Sequence, residues 1–381
     1  MMKNQPGTVD QKLMFMLAAL MGIGLVLVFS ASSVTSLDKY QDKFYVVKLQ
    51  FMWMCIGMVG MLFTLNVDYH KLRGFSIPCL LITILFLILV LVPGIGVEVN
   101  HATRWIKLFG PIRIQPAEIA KLSVILYLAD VLSRNYKKRD SFMDYLLPNI
   151  ILLGVISLMV LKQKALSCAV LIISIGFLMI LVSYSNLGHI VALCALGMSG
   201  VVAAIVLEPY RMRRWVAFLN PWNDAEGSGY QIIQSLMALG SGGITGVGIG
   251  QGVQKIKYLP FVNTDFIFAV LGEEMGLVGI LVVIALFLGV LYRGISIALR
   301  APDLFGMFLA FGITTAIVLQ ALLNMAVVTG LMPTTGIPLP FISFGGNSMV
   351  YTLASVGILL NISRAADRDT MSKMSRRWSQ A

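Results

Sequence analysis

Asp265 sits just after Pro260, Asn263 and Thr264 and just before an apolar run, Phe266 to Val270, where a carboxylate can accept a proton or balance a cation. Pro260 cannot be accommodated inside a helix, so Asn263 or Thr264 is expected to cap one, with Asp265 in its first turn. The helix dipole there favours the ionised carboxylate, although an ordinary charged residue completing a helix N-terminus would look the same. Glu273 and Glu274 follow within the apolar run. At about 100° per residue, Glu273 falls roughly 80° around the helix from Asp265 and about 12 Å deeper, and Glu274 points to the opposite side. Carboxylates inside such a run line a cavity or pair with a cation. Glu118 and Lys121, three residues apart on one helical face, fit a structural ion pair of this kind.

Arg211, Arg213 and Arg214 lie beside Trp215. Three cations next to an aromatic suit a lipid phosphate, and they suit plain anchoring among headgroups equally well. Seven glycines between Gly240 and Gly252 suggest a phosphate cradle by composition, but no strand precedes them and no helix follows in the required way. Close backbone approach to a lipid, or a re-entrant turn buried in protein, fits better. His70, His101 and His189 are scattered and form no metal-binding pair, and Cys55, Cys79, Cys168 and Cys194 all fall in apolar stretches without disulfide or zinc spacing.

The elements that must position these groups follow from composition. The chain is 58% hydrophobic and 12% charged, about half the charge of a soluble domain, with a mean hydropathy of +0.86. Its formal charge of +11 therefore points to a bilayer and membrane lipids rather than to nucleic acid. Runs of roughly 20 apolar residues predict an all-α polytopic membrane protein of about ten spans, at 13–32, 45–65, 75–93, 115–133, 143–161, 166–184, 188–207, 265–292, 303–328 and 344–362. The fourth is interrupted by Glu118, Lys121 and Asp130. The first is too long for a removed signal peptide and lacks its cleavage pattern. One long extracytoplasmic loop, 208–264, separates spans seven and eight, and its aromatic and apolar content predicts order rather than a linker. Residues 1–363 read as one integral membrane domain, and 364–381 as a basic, disordered cytoplasmic tail near anionic headgroups. The basic residues favour cytoplasmic termini by a narrow margin. The outer face is unusually basic, which either serves an anionic ligand or reflects long loops that escape the charge rule.

Thr264 to Ala269 with Gly272 to Gly276 resembles the TDFIFA...GEELG signature of the SEDS (shape, elongation, division and sporulation) family. Gly330 to Gly346 is similar to its GLLPVTGIPLPFISYGG motif, and Arg104, Trp105 and Ile106 with Gln115 to Glu118 and Lys121 to its RRWI...QPSE..K element. Phe218 to Trp222 with Gly229, Tyr230, Gln231, Gln234 and Ser235 resembles FLDPW...GYQ..QS. The run Gln254, Lys255, then Tyr258, Leu259 and Pro260 resembles the FtsW and SpoVE branch more than RodA.

The resemblance implies a polymerase in the cytoplasmic membrane that joins lipid II, an undecaprenyl diphosphate-linked disaccharide, into glycan strands on the outer leaflet. It also implies a class B penicillin-binding transpeptidase as partner. The family's essential aspartate corresponds to Asp265 and its outer-loop tryptophan to Trp105. A sugar hydroxyl attacking an anomeric carbon needs a carboxylate for its proton and cations for the departing diphosphate. Arg104, Arg211, Arg213, Arg214, Lys255 and Lys257 are candidates for the second task. Glu118, Lys121, Glu273 and Ser343 complete the substrate-binding set that the matching motifs suggest. A divalent cation such as Mg or Mn could share the diphosphate charge, but the sequence offers no dedicated metal site.

The chain also departs from the motifs. Lys164 to Cys168 stands in place of a PDLGT-like run, so an expected acid is Ala165; a second expected acid, in LPE, is Phe261; Asn347 replaces a serine, and His101 to Thr103 replace small and basic residues. These changes predict altered or reduced catalysis. They also keep two other readings open: a lipid II flippase, and a non-catalytic scaffold for the transpeptidase.

Overall fold

The computed structural model describes residues 7–99, 102–107, 113–184, 186–255 and 260–378, without the side chains of residues 99, 102, 187 and 369–378. Thirteen α-helices are present among these residues: α1 (Gln11–Tyr40), α2 (Tyr45–Asn66), α3 (Tyr69–Gly74), α4 (Ser76–Leu89), α5 (Pro116–Arg134), α6 (Leu147–Lys162), α7 (Leu166–Ser183), α8 (Leu187–Val206), α9 (Pro209–Leu219), α10 (Tyr230–Gly242), α11 (Ile267–Arg300), α12 (Leu304–Val328) and α13 (Gly346–Trp378). Eight helical stretches are long and apolar enough to cross a membrane. The other two expected spans exist as helices, but α4 has only 14 residues, and α5 carries Glu118, Lys121 and Asp130.

Those charges do not face lipid. Asp130 accepts hydrogen bonds from Arg73 (2.8 Å), Arg134 (2.6 Å) and Ser76 (2.8 Å), and Lys121 lies 2.9 Å from Glu118. Helix α5 can therefore carry ionised groups because it packs inside the bundle, against α4, α7 and α12.

In lipid, helices associate through close packing and hydrogen bonds rather than the hydrophobic effect. Helices α2 and α13 illustrate this. A Cβ on Gly357 would stand 2.0 Å from Thr64 Oγ1, and that hydroxyl donates to Ala354 O across the contact at 2.8 Å.

Three features depart from the expectations. First, the connection between α4 and α5 holds a small antiparallel sheet, β1 (Gly96–Val99), β2 (Ala102–Lys107) and β3 (Arg113–Ile114), paired in that order. Second, α13 continues as a helix to Trp378 instead of ending in a disordered tail. Neither glycine nor proline interrupts it after Gly357, and its course is fixed by Arg364 donating to Leu65 O at 2.8 Å and by Thr8 donating to Asp367. Third, the long segment after α8, ordered as its composition predicts, does not lie wholly on the surface as a loop: it contains α9, a 3-10 turn (Pro221–Asp224) and α10, the last packed against α11 and α12.

The glycine-rich stretch from Gly240 to Gly252 turns back along α11, its backbone against that helix while Ile244, Val247 and Ile249 stay exposed. Helix α11 breaks at Gly276, whose φ of +61° lies in the left-handed region. The break frees carbonyls that the turn then satisfies: Val247 N–H donates to Glu273 O (3.0 Å) and Gly248 N–H to Glu274 O (3.1 Å). The backbones approach so closely that a Cβ on Gly246 would lie 2.2 Å from Glu274 O. These glycines serve backbone contact, not phosphate.

Candidate active site around Asp265

The residues from Pro333 to Leu339 cross one end of the bundle without helical structure. Prolines at 333, 338 and 340 prevent a helix, and an irregular backbone buried in protein needs partners for its carbonyls. Three side chains from two helices supply them. Arg214 on α9 donates to Thr334 O at 2.8 Å, Asn324 on α12 to Ile337 O at 2.8 Å, and Gln320 on α12 to Pro338 O at 2.9 Å. The Arg214 guanidinium is braced 4.7 Å above the Tyr210 ring.

Asp265 is held against this segment. Its carbonyl accepts a second hydrogen bond from Asn324 (2.8 Å), its N–H donates to Phe261 O (3.1 Å), and its Oδ2 lies 3.7 Å from where a Cβ on Gly336 would be. Asp265 does not occupy the first turn of a helix as expected. Phe266 is the N-cap of α11 with no side-chain cap, and the Thr264 hydroxyl donates to Phe261 O instead. The dipole therefore does not govern its charge. Burial pushes its pKa up to about 6, against the opposing pull of the Arg214 and Arg104 guanidiniums. The carboxylate lies outside the α11 span and is a stronger base than an exposed aspartate.

Arg104 on β2 donates to Lys164 O (2.5 Å) and Gln163 O (3.4 Å). Where the motif would place an acid, Ala165 offers none, and Arg104 takes these carbonyls. Trp105 follows on the same strand, paired in register with Val97. Glu118, Lys121, Arg104 and Asp265 all lie within electrostatic reach of the Cys168 thiol at the start of α7, which ties the ion pair and the aspartate to one region. The Glu118 and Lys121 side chains line a cavity of about 30 Å³ with Gln320 and Tyr351, room for about two waters.

Other expected site residues are committed elsewhere. Arg211 donates to Ala204 O at the end of α8 (2.7 Å), while Arg213 is exposed. Ser343 is buried: its hydroxyl donates to Thr264 O (2.6 Å) and accepts from Leu339 N–H (2.8 Å), so it braces the segment before Asp265 and has no free hydroxyl for a substrate. Lys255 and Glu273 likewise have partners within the protein. Glu273 Oε1 accepts the N–H groups of Val253 (2.7 Å) and Gln254 (3.1 Å), and the Lys255 ammonium lies 2.6 Å from Glu274. An irregular turn entering the bundle brings unpaired N–H groups and an ammonium with it, and the nearest acids of α11 take them. Lys257 and His101 lie outside the described residues.

Sequence reasoning missed Asn324 and Gln320, although a signal was present. Two amides four residues apart form one polar stripe within an apolar span. Asn324→Leu would orphan the carbonyls of Asp265 and Ile337, at about 1–3 kcal/mol each, and is expected to slow turnover while ligand binding persists. Unchanged turnover in a folded variant would remove Asn324 from the positioning of Asp265.

A family model described as cell cycle protein, covering FtsW, RodA and SpoVE, matches residues 11–368. The chain is 43% identical over 354 residues to a probable peptidoglycan glycosyltransferase FtsW of Geobacter sp. (strain M18), covering 93% of this chain and 96% of that relative. It is 43% identical over 355 residues to stage V sporulation protein E of Bacillus subtilis (strain 168), covering 93% and 97%. Among solved structures, a chain from work on the structural coordination of polymerization and crosslinking by a peptidoglycan synthase complex superposes with a TM-score of 0.78 at 30% identity, covering 94% of this chain and 98% of that one. The rod shape determining protein RodA of Thermus thermophilus gives 0.69 at 27% identity, covering 94% and 97%.

Proposed function

The chain belongs to the FtsW/RodA/SpoVE family of cell cycle proteins, and from that premise we propose that it is a peptidoglycan glycosyltransferase that polymerises lipid II on the outer face of the cytoplasmic membrane. The observation that carries this reading is the Asp265 carboxyl, with a pKa raised to about 6 beside the guanidiniums of Arg104 and Arg214. A hydroxyl of one lipid-linked sugar attacks the anomeric carbon of another. A glycosidic bond forms, the bond to the diphosphate breaks, and undecaprenyl diphosphate leaves. Asp265 accepts the hydroxyl proton, and Arg104, Arg214 and the exposed Arg213 meet the charge on the leaving group.

Among the described residues no three His, Cys, Asp or Glu side chains converge on one point. A divalent cation held by one or two carboxylates together with the diphosphate itself would need no such cluster, and no step here is routed through one.

Helices α4 and α5 act as the third and fourth of ten spans, with both termini cytoplasmic, so the end of the bundle bearing Asp265 faces outward. Residues 1–363 act as one integral membrane domain, and the basic residues that follow lie on its cytoplasmic side. A class B penicillin-binding transpeptidase is the partner, a reading supported by the relative from a peptidoglycan synthase complex. The test is the purified chain with that transpeptidase and lipid II: glycan product that depends on Asp265 is expected. Translocation of labelled lipid II without glycan would favour a flippase, and neither activity would favour a scaffold.

A further inference from the structure

Lys255 is 5% exposed and Glu274 1% exposed, and neither touches the Asp265 recess. The Lys255 ammonium donates to Glu274 Oε1 (2.6 Å) and to the Ser30 hydroxyl of α1 (2.7 Å), and Ser30 donates in turn to Glu274 Oε1 (2.5 Å). One residue earlier on α11, Glu273 takes the N–H groups of Val253 and Gln254. The chain at Val253 to Lys255 is thus fastened to α1 and α11. At the other end of the stretch, Asn324 holds the Asp265 carbonyl, Ser343 the Thr264 carbonyl, and the Phe344 N–H the Asn263 carbonyl (2.9 Å). Between the two anchorages the chain passes through Phe261, whose φ of +55° is a left-handed conformation that side chains resist. Its carbonyl nevertheless accepts the N–H of Asp265, so the backbone of the aspartate is tied to residue 261.

Resting on the function proposed above, we propose that Lys255 and Glu274 are positioning residues: their buried ion pair latches the segment leading to Asp265 onto α1 and α11 and so holds the carboxylate in its recess. An ion pair suits this task. Opening it would leave a bare ammonium and a bare carboxylate in a low-dielectric interior, so the latch resists partial opening far more than an apolar contact would. The groups acting on Asp265 itself, Arg214 of α9 and Arg104 of β2, lie on other elements, so changes at Lys255 and Glu274 reach the aspartate through the backbone.

The test compares the full chain with Lys255→Met and with the double variant Lys255→Met, Glu274→Gln, in nanodiscs. The double variant removes both buried charges together and so keeps the experiment meaningful if the single one fails to fold. Hydrogen exchange across 260–266 is expected to quicken at least about tenfold in the double variant. Polymerisation with the partner and lipid II should lose at least about tenfold in kcat with KM within about threefold. The acid limb of its pH profile should move down towards the ordinary aspartate value as the recess takes up water. Unchanged exchange would overturn the latch. Faster exchange with kcat and acid limb unaltered would reduce the pair to a structural one and overturn its positioning role. Absence of polymer from the unaltered chain would defeat the functional reading instead, and exchange alone would then decide whether the latch exists.

Discussion

Asp265→Asn is expected to cut glycan polymerisation by about 10²–10⁴-fold, the usual contribution of a positioned acid or base, while lipid II binding changes little. The substitution keeps the size of the side chain and leaves the hydrogen bond from Asn324 to the backbone carbonyl of residue 265 in place. It removes only the group that takes the proton. The same variant should be more stable than the parent at neutral pH. Because burial raises the native pKa from 3.8 to about 6, the folded chain binds more protons than the unfolded chain between those values. Stability therefore falls as pH rises through that window, and the full cost of the buried charge, at most about 3 kcal/mol, applies above it. Asparagine escapes that cost. Thermal unfolding should show the gain above pH 6 and its disappearance below about pH 4. A variant that loses both activity and stability would mean that Asp265 is chiefly a structural group.

Lys121→Met should give the largest loss of stability. Glu118 and Lys121 are 5% and 9% exposed, and the ammonium also donates to Gln320 Oε1 at 2.7 Å. Removing the lysine strands a buried carboxylate, which costs about 3–5 kcal/mol. It also frees the amide whose other end holds Pro338 O, so the segment facing Asp265 loosens and polymerisation falls with stability. Adding Glu118→Gln should recover most of the stability by removing the stranded charge. Thermal unfolding of the two variants provides the check. A loss under about 1 kcal/mol for Lys121→Met would mean that water in the adjoining cavity already screens the pair.

Local signals in the chain foretold what depends on composition and spacing. The apolar runs at α1, α6 to α8, α11 and α12 give spans by hydropathy alone, and Glu118 and Lys121 pair as their spacing requires. The glycines from 240 to 252 bring backbone against backbone at α11, as Gly246 beside Glu274 O shows. What failed was anything set by a partner distant in sequence. Lys255 looks like a phosphate ligand until Ser30 and Glu274, far from one another in sequence, close around it. The charge state of Asp265 looked like a helix-dipole question, yet the helix begins later and the recess is built by Gly336, Asn324 and Arg214 from three other parts of the chain. The Ser343 hydroxyl, too, is spent on two backbone groups that spacing does not reveal.

The central claim is that a carboxylate at 265, neutralised more easily than an ordinary aspartate, serves as the base. The pH profile of kcat/KM for lipid II, measured with the partner transpeptidase and normalised to lipid II binding at each pH, tests it most directly. The rate should fall tenfold per unit below about pH 6 and level off above it. A profile flat from pH 5 to pH 8 would contradict it.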